Sequence, residues 1–221
     1  MDACQLDEKN GQVDAADVSL TILTDSPYTK KNPHYLRITA NSAYAGVKNL
    51  GFNSGISLEG GERYHFSCYL RKVDEPVKVK ACLIGKEGQI YASCEITADA
   101  SDWKKYTADL EIAEGTSCTD ANLALVCMTP GSVEVDFVSL FPAHTYKNRP
   151  NGLRKDLCEM LEAMHPKFIR FPGGCLVHDG QLDENARDSM YRWKNTIGPV
   201  EERPARRNNW DIIRHLVLAI M

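Results

Sequence analysis

Short segments of alternating apolar and polar residues follow one another from about Val18 to Phe141. The segments are SLTILTD, HYLRITA, RYHFSCYLRK, VKVKACLIG, QIYASCEIT, WKKYTADLEI, ANLALVCMT and SVEVDFVSLF. A period of two places successive side chains on opposite faces of a β-strand. Turn residues such as Pro130-Gly131 separate the segments. The pattern therefore predicts about eight to ten strands in an antiparallel β-sandwich or jelly roll.

The periodicity changes after Pro142. In GLRKDLCEMLEAMHP, apolar residues recur at helical spacing, which predicts an amphipathic helix that His165-Pro166 ends. The next residues, KFIRF, resemble a short buried strand closed by the turn Pro172-Gly173-Gly174. Helix, strand and glycine turn are typical of an α/β unit. A complete (β/α)₈ barrel needs about 250 residues, so only part of one would be present.

Charge and composition exclude several partners. The 221 residues carry a formal net charge of −4, whereas nucleic acids and anionic membranes both favour a basic face. The N-terminal MDACQLDEKNGQ lacks the features of a secretory signal, and no stretch is long enough to cross a bilayer. We therefore expect a soluble, cytoplasmic protein with no nucleic-acid or membrane partner.

Cysteine spacing argues against a metal site. The 8 cysteines include no CxxC pair and no Cys/His spacing typical of zinc. Most lie in apolar runs, which favours buried reduced thiols.

The segment PKFIRFPGGCLVHDG carries the first candidate site residues. Gly173 and Gly174 let the backbone approach a ligand, and Arg170 at the strand end can hydrogen-bond to carboxylates that line a polar pocket. A structural turn with a salt-bridged arginine explains the same residues. Cys175 is better interpreted as a pocket wall or packed thiol than as a nucleophile, because no base is assured beside it.

Aromatic and acidic residues give weaker signals. Trp193 could stack on a sugar or lie in the core, and the sandwich aromatics could form a carbohydrate platform or simply pack. No two carboxylates stand out as the pair that glycoside hydrolysis requires. Glu201-Glu202, which arginines follow, are interpreted as ionised surface groups.

Five segments, taken together and in order, resemble the α-L-arabinofuranosidases of glycoside hydrolase family 51. They are NPHYLRI (32–38), VSLFP (138–142), RPNGLRKDL (149–157), PKFIRFPGGCLV (166–177) and YRWKNTIGPVEERP (191–204). Each is a weak signal alone, whereas the combination is highly specific.

The resemblance implies a retaining exo-hydrolase that removes terminal α-L-arabinofuranosyl units from arabinoxylan, arabinan and their oligosaccharides. It implies a carbohydrate-binding-module-like sandwich at residues 1–145, inserted after the first strand of a catalytic barrel whose incomplete N-terminal part spans 146–221. Phe168 to Phe171 would be an early barrel strand. The residues implied at the arabinose site are Arg170, Gly173, Gly174, Cys175 and Trp193.

The catalytic carboxylates of such enzymes have no counterpart here. In the family, one carboxylate attacks the anomeric carbon, a glutamate protonates the leaving oxygen, and water releases the covalent intermediate, with no metal or organic cofactor needed. No residue matches the acid/base glutamate of the family's Asn-Glu motif or its nucleophile glutamate, both expected beyond the last residue, and the first barrel strand is not found before the sandwich. The sequence therefore predicts a fragment without catalytic residues or activity.

The last eleven residues, DIIRHLVLAIM, differ from the family continuation, which resembles GYNQTLGLGYYEYF. Restoring one G before the codon of Asp211 permits a frame that begins with Gly, then Tyr or His. The hypothesis is a one-base deletion near codon 211, which the underlying DNA would test.

Two other interpretations stay open. The sandwich could be a carbohydrate-binding module beside a vestigial barrel piece. Alternatively, the chain could be a non-functional product whose helix and KFIRF segment expose apolar faces and lower its solubility.

Overall fold

The computed structural model describes residues 1–6, 13–14 (backbone only), 17–51, 54–170, 174, 180–184, 186 and 190–204. The chain divides into two compact units. The sandwich unit comprises residues 1–26 and 34–144, and the C-terminal unit comprises residues 27–33 and 145–221.

Antiparallel strands make up the sandwich unit. They are β1 (Asp2–Leu6), β2 (Val13–Asp14), β3 (Val18–Leu23), β4 (Tyr35–Ala40), β5 (Ala45–Asn49), β6 (Ile56–Leu58), β7 (Arg63–Lys72), β8 (Val77–Ile84), β9 (Ile90–Ala98), β10 (Lys104–Glu111), β11 (Cys118–Cys127) and β12 (Gly131–Pro142). One sheet has the order β2-β1-β5-β11-β8-β9, with β6 also paired to β11, and the other has the order β10-β7-β12-β4-β3. The predicted mainly-β, antiparallel sandwich is confirmed.

The strands between Val18 and Pro142 include two that the alternation did not indicate, β5 and β6. The N-terminal segment also differs from expectation. The alternating segments begin only at about Val18, but Asp2–Leu6 forms β1, which pairs with β5 and buries Cys4 and Leu6. These strands contain only two to five residues each, which is too short for a period of two to stand out.

Alternation along the strands builds the main core. In β7, Tyr64, Phe66, Cys68 and Leu70 are buried in this core, while the residues between them face outward. Strand β8 alternates in the same way. Its outward Cys82 and Ile84 join a second, smaller apolar cluster. The sequence periodicity therefore corresponds to two apolar clusters, the larger of which forms the core.

Thiols follow the predicted pattern within the described residues. All seven described cysteines are free, and Cys4, Cys68, Cys82 and Cys127 are buried. Burial raises the pKa of the Cys68 and Cys82 thiols to about 12, so these groups stay protonated and unreactive at neutral pH.

The C-terminal unit contains the helix α1 (Lys155–Ala163) and three short 3₁₀ turns at Tyr146–Asn148, Trp193–Thr196 and Val200–Glu202. The helix ends as predicted. His165 adopts a positive φ of 47°, and its backbone N–H donates to the carbonyl of Glu162 at 3.0 Å. Such a left-handed residue commonly follows the last turn of a helix.

The apolar face of α1 is solvent-exposed. About half or more of each residue on this face is exposed: Leu153 51%, Leu157 49%, Met160 67%, Leu161 55% and Met164 74%. The prediction of an amphipathic helix was correct. Its apolar face is exposed in the part of the chain that the structure describes.

The prediction of a buried strand at KFIRF is wrong for its described part. Lys167–Arg170 forms no strand, and Phe168 and Ile169 are 84% and 79% exposed. A buried strand needs neighbouring strands to accept its backbone hydrogen bonds, and the described residues of the C-terminal unit form only isolated bridges. Phe171 lies outside the described residues.

No helix in the described part of the chain is long and apolar enough to span a membrane. The tail from residue 205 onward, with the interpretation of Asp211 to Met221, lies outside the described residues.

Candidate functional site

Two of the predicted site residues in the PKFIRFPGGCLV segment, Arg170 and Gly174, are among the described residues. Arg170 and Gly174 are both exposed. A Cβ atom placed on Gly174 would lie 4.0 Å from Nη2 of Arg170 and would meet nothing else within that distance. The Arg170 guanidinium therefore lies near Gly174, and Gly174 is open to solvent. Gly173 and Cys175 lie outside the described residues.

Trp193 presents its ring to solvent. The side chain is 60% exposed and begins the 3₁₀ turn Trp193–Thr196. The Thr196 hydroxyl donates to the Trp193 carbonyl at 2.6 Å, and Lys194 Nζ lies 6.0 Å from the ring centroid. A core position is therefore wrong for this tryptophan. In the described part of the chain, Trp193 makes no hydrogen bond or ring contact with Arg170.

Asn32 connects two of the segments that carry the family resemblance. Its side-chain amide donates to the carbonyls of Arg203 at 2.7 Å and Glu201 at 3.3 Å. Lys31 and Glu202 form an ion pair at 3.6 Å beside it, and both side chains are exposed, so this pair contributes little. No sequence pattern indicated this contact, because residues about 170 positions apart meet only in the folded chain.

The RPNG segment forms a tight loop before α1. The buried Thr145 hydroxyl donates to the Arg149 carbonyl at 2.5 Å, and Gly152 N–H donates to the same carbonyl at 2.9 Å. A Cβ at Gly152 would lie 2.7 Å from that oxygen. Asn151 has a positive φ of 51°, which asparagine tolerates better than most residues. The motif residues therefore have structural roles in this loop.

Five carboxyl groups in the described residues have a lowered pKa. Side-chain hydrogen bonds lower the pKa of Asp25, Asp99, Asp120, Asp156 and Glu162, donated by Tyr35, Tyr106, Lys86, Arg154 and Tyr146 respectively. A general acid needs a pKa shifted in the opposite direction. These five carboxyls are therefore unsuited to donating a proton at neutral pH.

The pKa of the Asp136 carboxyl is shifted in the opposite direction, upward. Burial raises its pKa from 3.8 to about 6, although a hydrogen bond from Phe137 N–H at 2.8 Å partly opposes the shift. Its Oδ2 atom is buried and has no hydrogen-bond partner among the described residues. Asp136 lies in β12 of the sandwich, and no second carboxylate contributes to its shift. It is therefore not half of an acid/base pair.

Asp136 should make the stability of the sandwich depend on pH. Its folded pKa is higher than its unfolded value, so its stabilising effect is complete below about pH 4 and is lost as pH rises through about 6. The shift corresponds to at most about 3 kcal/mol, which partial solvent exposure reduces to about 1–2 kcal/mol. We expect Asp136→Asn to raise the free energy of unfolding by that amount at pH 8 and to leave it unchanged at pH 4.

Urea unfolding at both pH values measures this effect. Asp74→Asn, at an exposed position, is the matched control and should shift neither value by more than about 0.5 kcal/mol. Equal unfolding free energies for the wild type and Asp136→Asn at pH 8 would contradict the prediction.

A buried charge network occupies one end of the outer face of the five-stranded sheet. Glu134 is 2% exposed and accepts hydrogen bonds from Arg37 at 2.6 and 3.1 Å and from Arg71 at 2.5 Å. The guanidinium of Arg71 also lies over the rings of Trp103 and Tyr35, at 4.7 and 5.5 Å from their centroids. The rings of Trp103 and Tyr35 are therefore both in contact with an arginine side chain of the same protein.

The aromatic residues considered as a carbohydrate platform differ in their solvent exposure. Tyr35, Tyr64 and Tyr69 are buried, whereas Tyr28, in the C-terminal unit, is 39% exposed. Phe52 lies outside the described residues. Packing is therefore the main role of the buried tyrosines.

No group of three or more His, Cys, Asp or Glu residues among those described could hold a metal ion.

Comparison with known proteins gives consistent matches. Residues 160–217 match the model of the alpha-L-arabinofuranosidase 1 domain. The extracellular exo-alpha-L-arabinofuranosidase of Streptomyces chartreusis is 37% identical over 187 residues, which cover 82% of this chain and 22% of that protein. Alpha-L-arabinofuranosidase 1 of Arabidopsis thaliana is 38% identical over 166 residues, covering 74% of this chain and 23% of the relative.

A solved structure extends the match to the fold. The arabinose-bound MgGH51 α-L-arabinofuranosidase superposes with a TM-score of 0.76 at 24% identity, over 94% of this chain and 36% of that one. The chain belongs to the α-L-arabinofuranosidases of glycoside hydrolase family 51. This family 51 chain spans about a fifth of the length of the first two curated relatives that it matches.

Proposed function

We propose that this family 51 chain supplies the sandwich and the beginning of the catalytic barrel of a retaining exo-α-L-arabinofuranosidase. The intact enzyme would hydrolyse terminal α-L-arabinofuranosides of arabinoxylan and arabinan. The 221-residue chain would not hydrolyse them alone. The match to named arabinofuranosidases over most of the chain carries the proposal. The proposed lack of activity is supported by the carboxyls described above, of which only the isolated Asp136 has a raised pKa.

Domain boundaries are part of the proposal. The sandwich would be the carbohydrate-binding-module-like domain at 1–145, and 146–221 would be the start of the barrel. The end of β12 at Pro142 and the helix α1 after it support this division. Residues 27–33 fall within the proposed 1–145 domain in sequence, but in the structure they belong to the C-terminal unit.

The arabinose wall is likewise proposed. Arg170, Gly173, Gly174, Cys175 and Trp193 would line one side of the sugar site. The exposed ring of Trp193 and the open space beside Gly174 support this assignment, since an apolar ring can cover the C–H face of a sugar. A cytoplasmic location stays a prediction, and the Streptomyces relative is named extracellular.

Hydrolysis of p-nitrophenyl α-L-arabinofuranoside tests the catalytic part of the proposal. We expect the purified chain to release nitrophenol no faster than buffer, because retaining hydrolysis needs two carboxyls about 5–5.5 Å apart. The Streptomyces chartreusis enzyme is the positive control. Turnover by the chain above the buffer rate would contradict the proposed inactivity.

A chimera tests the family role and the sugar wall. The matching segment of the Streptomyces enzyme is replaced by this chain's residues up to 204, so that the recipient supplies the remaining barrel. We expect arabinofuranosidase activity, and we expect Trp193→Ala in the chimera to raise KM about tenfold. A folded chimera without activity, or with an unchanged KM in the Trp193 variant, would contradict the proposal.

A further inference from the structure

The outer face of the five-stranded sheet carries hydroxyl-bearing and aromatic side chains in its middle. Lys105 and Thr107 are exposed there, Ser67, Phe137 and Ser139 are half-buried, and Tyr69 is buried. We define the outer strip as Ser67, Tyr69, Lys105, Thr107, Phe137 and Ser139. Strands β10, β7 and β12 are adjacent, so Thr107 lies beside Ser67, and Ser67 beside Ser139. The alternate residues Phe66 and Leu70 are buried in the main core. The strip is therefore on the outer face of the sandwich unit.

A β-bulge brings Phe137 to this strip. The register between β12 and β7 shifts between Asp136 and Ser139, and Phe137 has a positive φ of 44°. This conformation is rare for a residue with a large side chain. The half-buried Phe137 ring packs against Tyr69 edge-on, with centroids 6.0 Å apart. Strained bulges that redirect a side chain are concentrated at functional sites.

Asp136 holds the bulge in place. Its Oδ1 accepts the hydrogen bond from Phe137 N–H at 2.8 Å, while Oδ2 is buried. A buried acceptor without a partner is costly. The sheet therefore accepts a strained residue and a desolvated carboxyl at one point, and the result is an aromatic ring between hydroxyl-bearing strands.

We propose that the outer strip binds a neutral polysaccharide chain. An aromatic ring can pack on the C–H face of a sugar, and serine and threonine hydroxyls can both donate to and accept from sugar hydroxyls. Neighbouring strands are about 4.8 Å apart, so the three strands present a strip roughly 10 Å wide. That width lets ring and hydroxyl contacts act on the same glycan chain.

Charge favours a neutral ligand over an acidic one. At one end of the strip, His65 and Arg63 both lie against Asp109, at 2.6 and 3.7 Å. Lys105 Nζ lies 5.5 Å from the Tyr69 ring centroid, over the aromatic face. Arg63 is thus paired with an anion, and Lys105 is the one cation within the outer strip. An acidic polysaccharide would be favoured by several cations in a row rather than by one.

The inference deepens the proposed function and rests on it for the class of glycan. Affinity gel electrophoresis of the 221-residue chain in gels containing arabinoxylan, arabinan or polygalacturonate tests it. We expect retardation by at least one of the two neutral polymers and none by polygalacturonate. Phe137→Gly should weaken the retardation about tenfold, since it removes the ring while glycine suits the positive φ.

A pair of threonine variants controls for nonspecific effects. Thr107 and Thr97 are both exposed and lie on the edge strands β10 and β9 of the two sheets. Thr107→Ala should weaken retardation severalfold, whereas Thr97→Ala should leave it unchanged. Thermal melting confirms that each variant is folded.

Several outcomes would overturn the proposal. They are no retardation of the folded wild-type chain by either neutral polymer, equal retardation of the wild type and Phe137→Gly, or stronger retardation by polygalacturonate. Hydrolysis by the chimera is measured separately. Loss of chimera activity with retained gel retardation would overturn the catalytic proposal alone. Loss of gel retardation with retained chimera activity would overturn the proposed role of the outer strip alone.

Discussion

Glu134→Ala is expected to destabilise the sandwich by about 3–5 kcal/mol, because it leaves two arginine side chains without the carboxylate that they share. The carboxylate is 2% exposed and receives hydrogen bonds from Arg37 and Arg71. These arginines lie on β4 and β7, on either side of β12, so the single carboxylate connects three strands. Only 15% of the Arg71 side chain is exposed, so water cannot fully replace the lost partner.

Chemical denaturation at pH 7 measures the loss through tryptophan fluorescence, to which Trp103 contributes from its position against Arg71. Glu111→Ala, at an exposed position of β10, is the control and should change the unfolding free energy by less than about 0.5 kcal/mol. The triple variant Arg37→Met, Glu134→Leu, Arg71→Met should be more stable than Glu134→Ala, since apolar replacement of a whole buried network removes the uncompensated charge. A loss below about 1 kcal/mol for Glu134→Ala would contradict this account.

Gly46→Val is expected to prevent the sandwich from folding. A Cβ atom at this position would lie 2.0 Å from the Leu125 carbonyl oxygen and 2.6 Å from Val126 Cα. Both are backbone atoms of β11, so no side-chain rotation can relieve the contact. Gly46 is paired with Cys4 on one side and Val126 on the other. Displacing β5 would therefore disrupt two strand pairs, with an expected loss above about 4 kcal/mol.

Gly115→Ala separates this steric effect from the general cost of replacing a glycine. Gly115 has a positive φ of 72°, but a Cβ there would meet nothing within 4 Å. Only the dihedral cost of about 1 kcal/mol remains, so this variant should fold. Far-ultraviolet circular dichroism and thermal melting distinguish the two. A cooperative transition for Gly46→Val near that of the wild type would show that β5 can move without loss of the sheet.

Local pattern predicted the larger strands, the helix and its end. β7 coincides with the segment RYHFSCYLRK in full, because one buried side chain in every two residues is visible in a single strand. The same local criterion failed at KFIRF, where three apolar residues could indicate burial but could not supply neighbouring strands. It also missed β5, whose AGVKN carries too few alternations to be recognised.

The candidate site was predictable in part. Residue type and family resemblance indicated Arg170, Gly174 and Trp193 as site residues, and their role at a sugar site stays a prediction. The Asn32 contacts to Glu201 and Arg203, by contrast, join distant segments through backbone carbonyls, which leave no trace in residue identity at the accepting positions. The outer strip was also missed, since Phe137 is ordinary in an alternating strand until a bulge redirects it.

The sequence alone determined the antiparallel character of the sandwich, the amphipathic helix and the family to which the chain belongs. Each depends on side-chain order within a short window or on a set of short motifs. Only the tertiary structure decided which glycine has no room for a side chain, which glutamate is shared by two arginines and where a strained phenylalanine meets a tyrosine. Those properties depend on atoms that strand pairing brings together, and pairing partners are set by the whole fold.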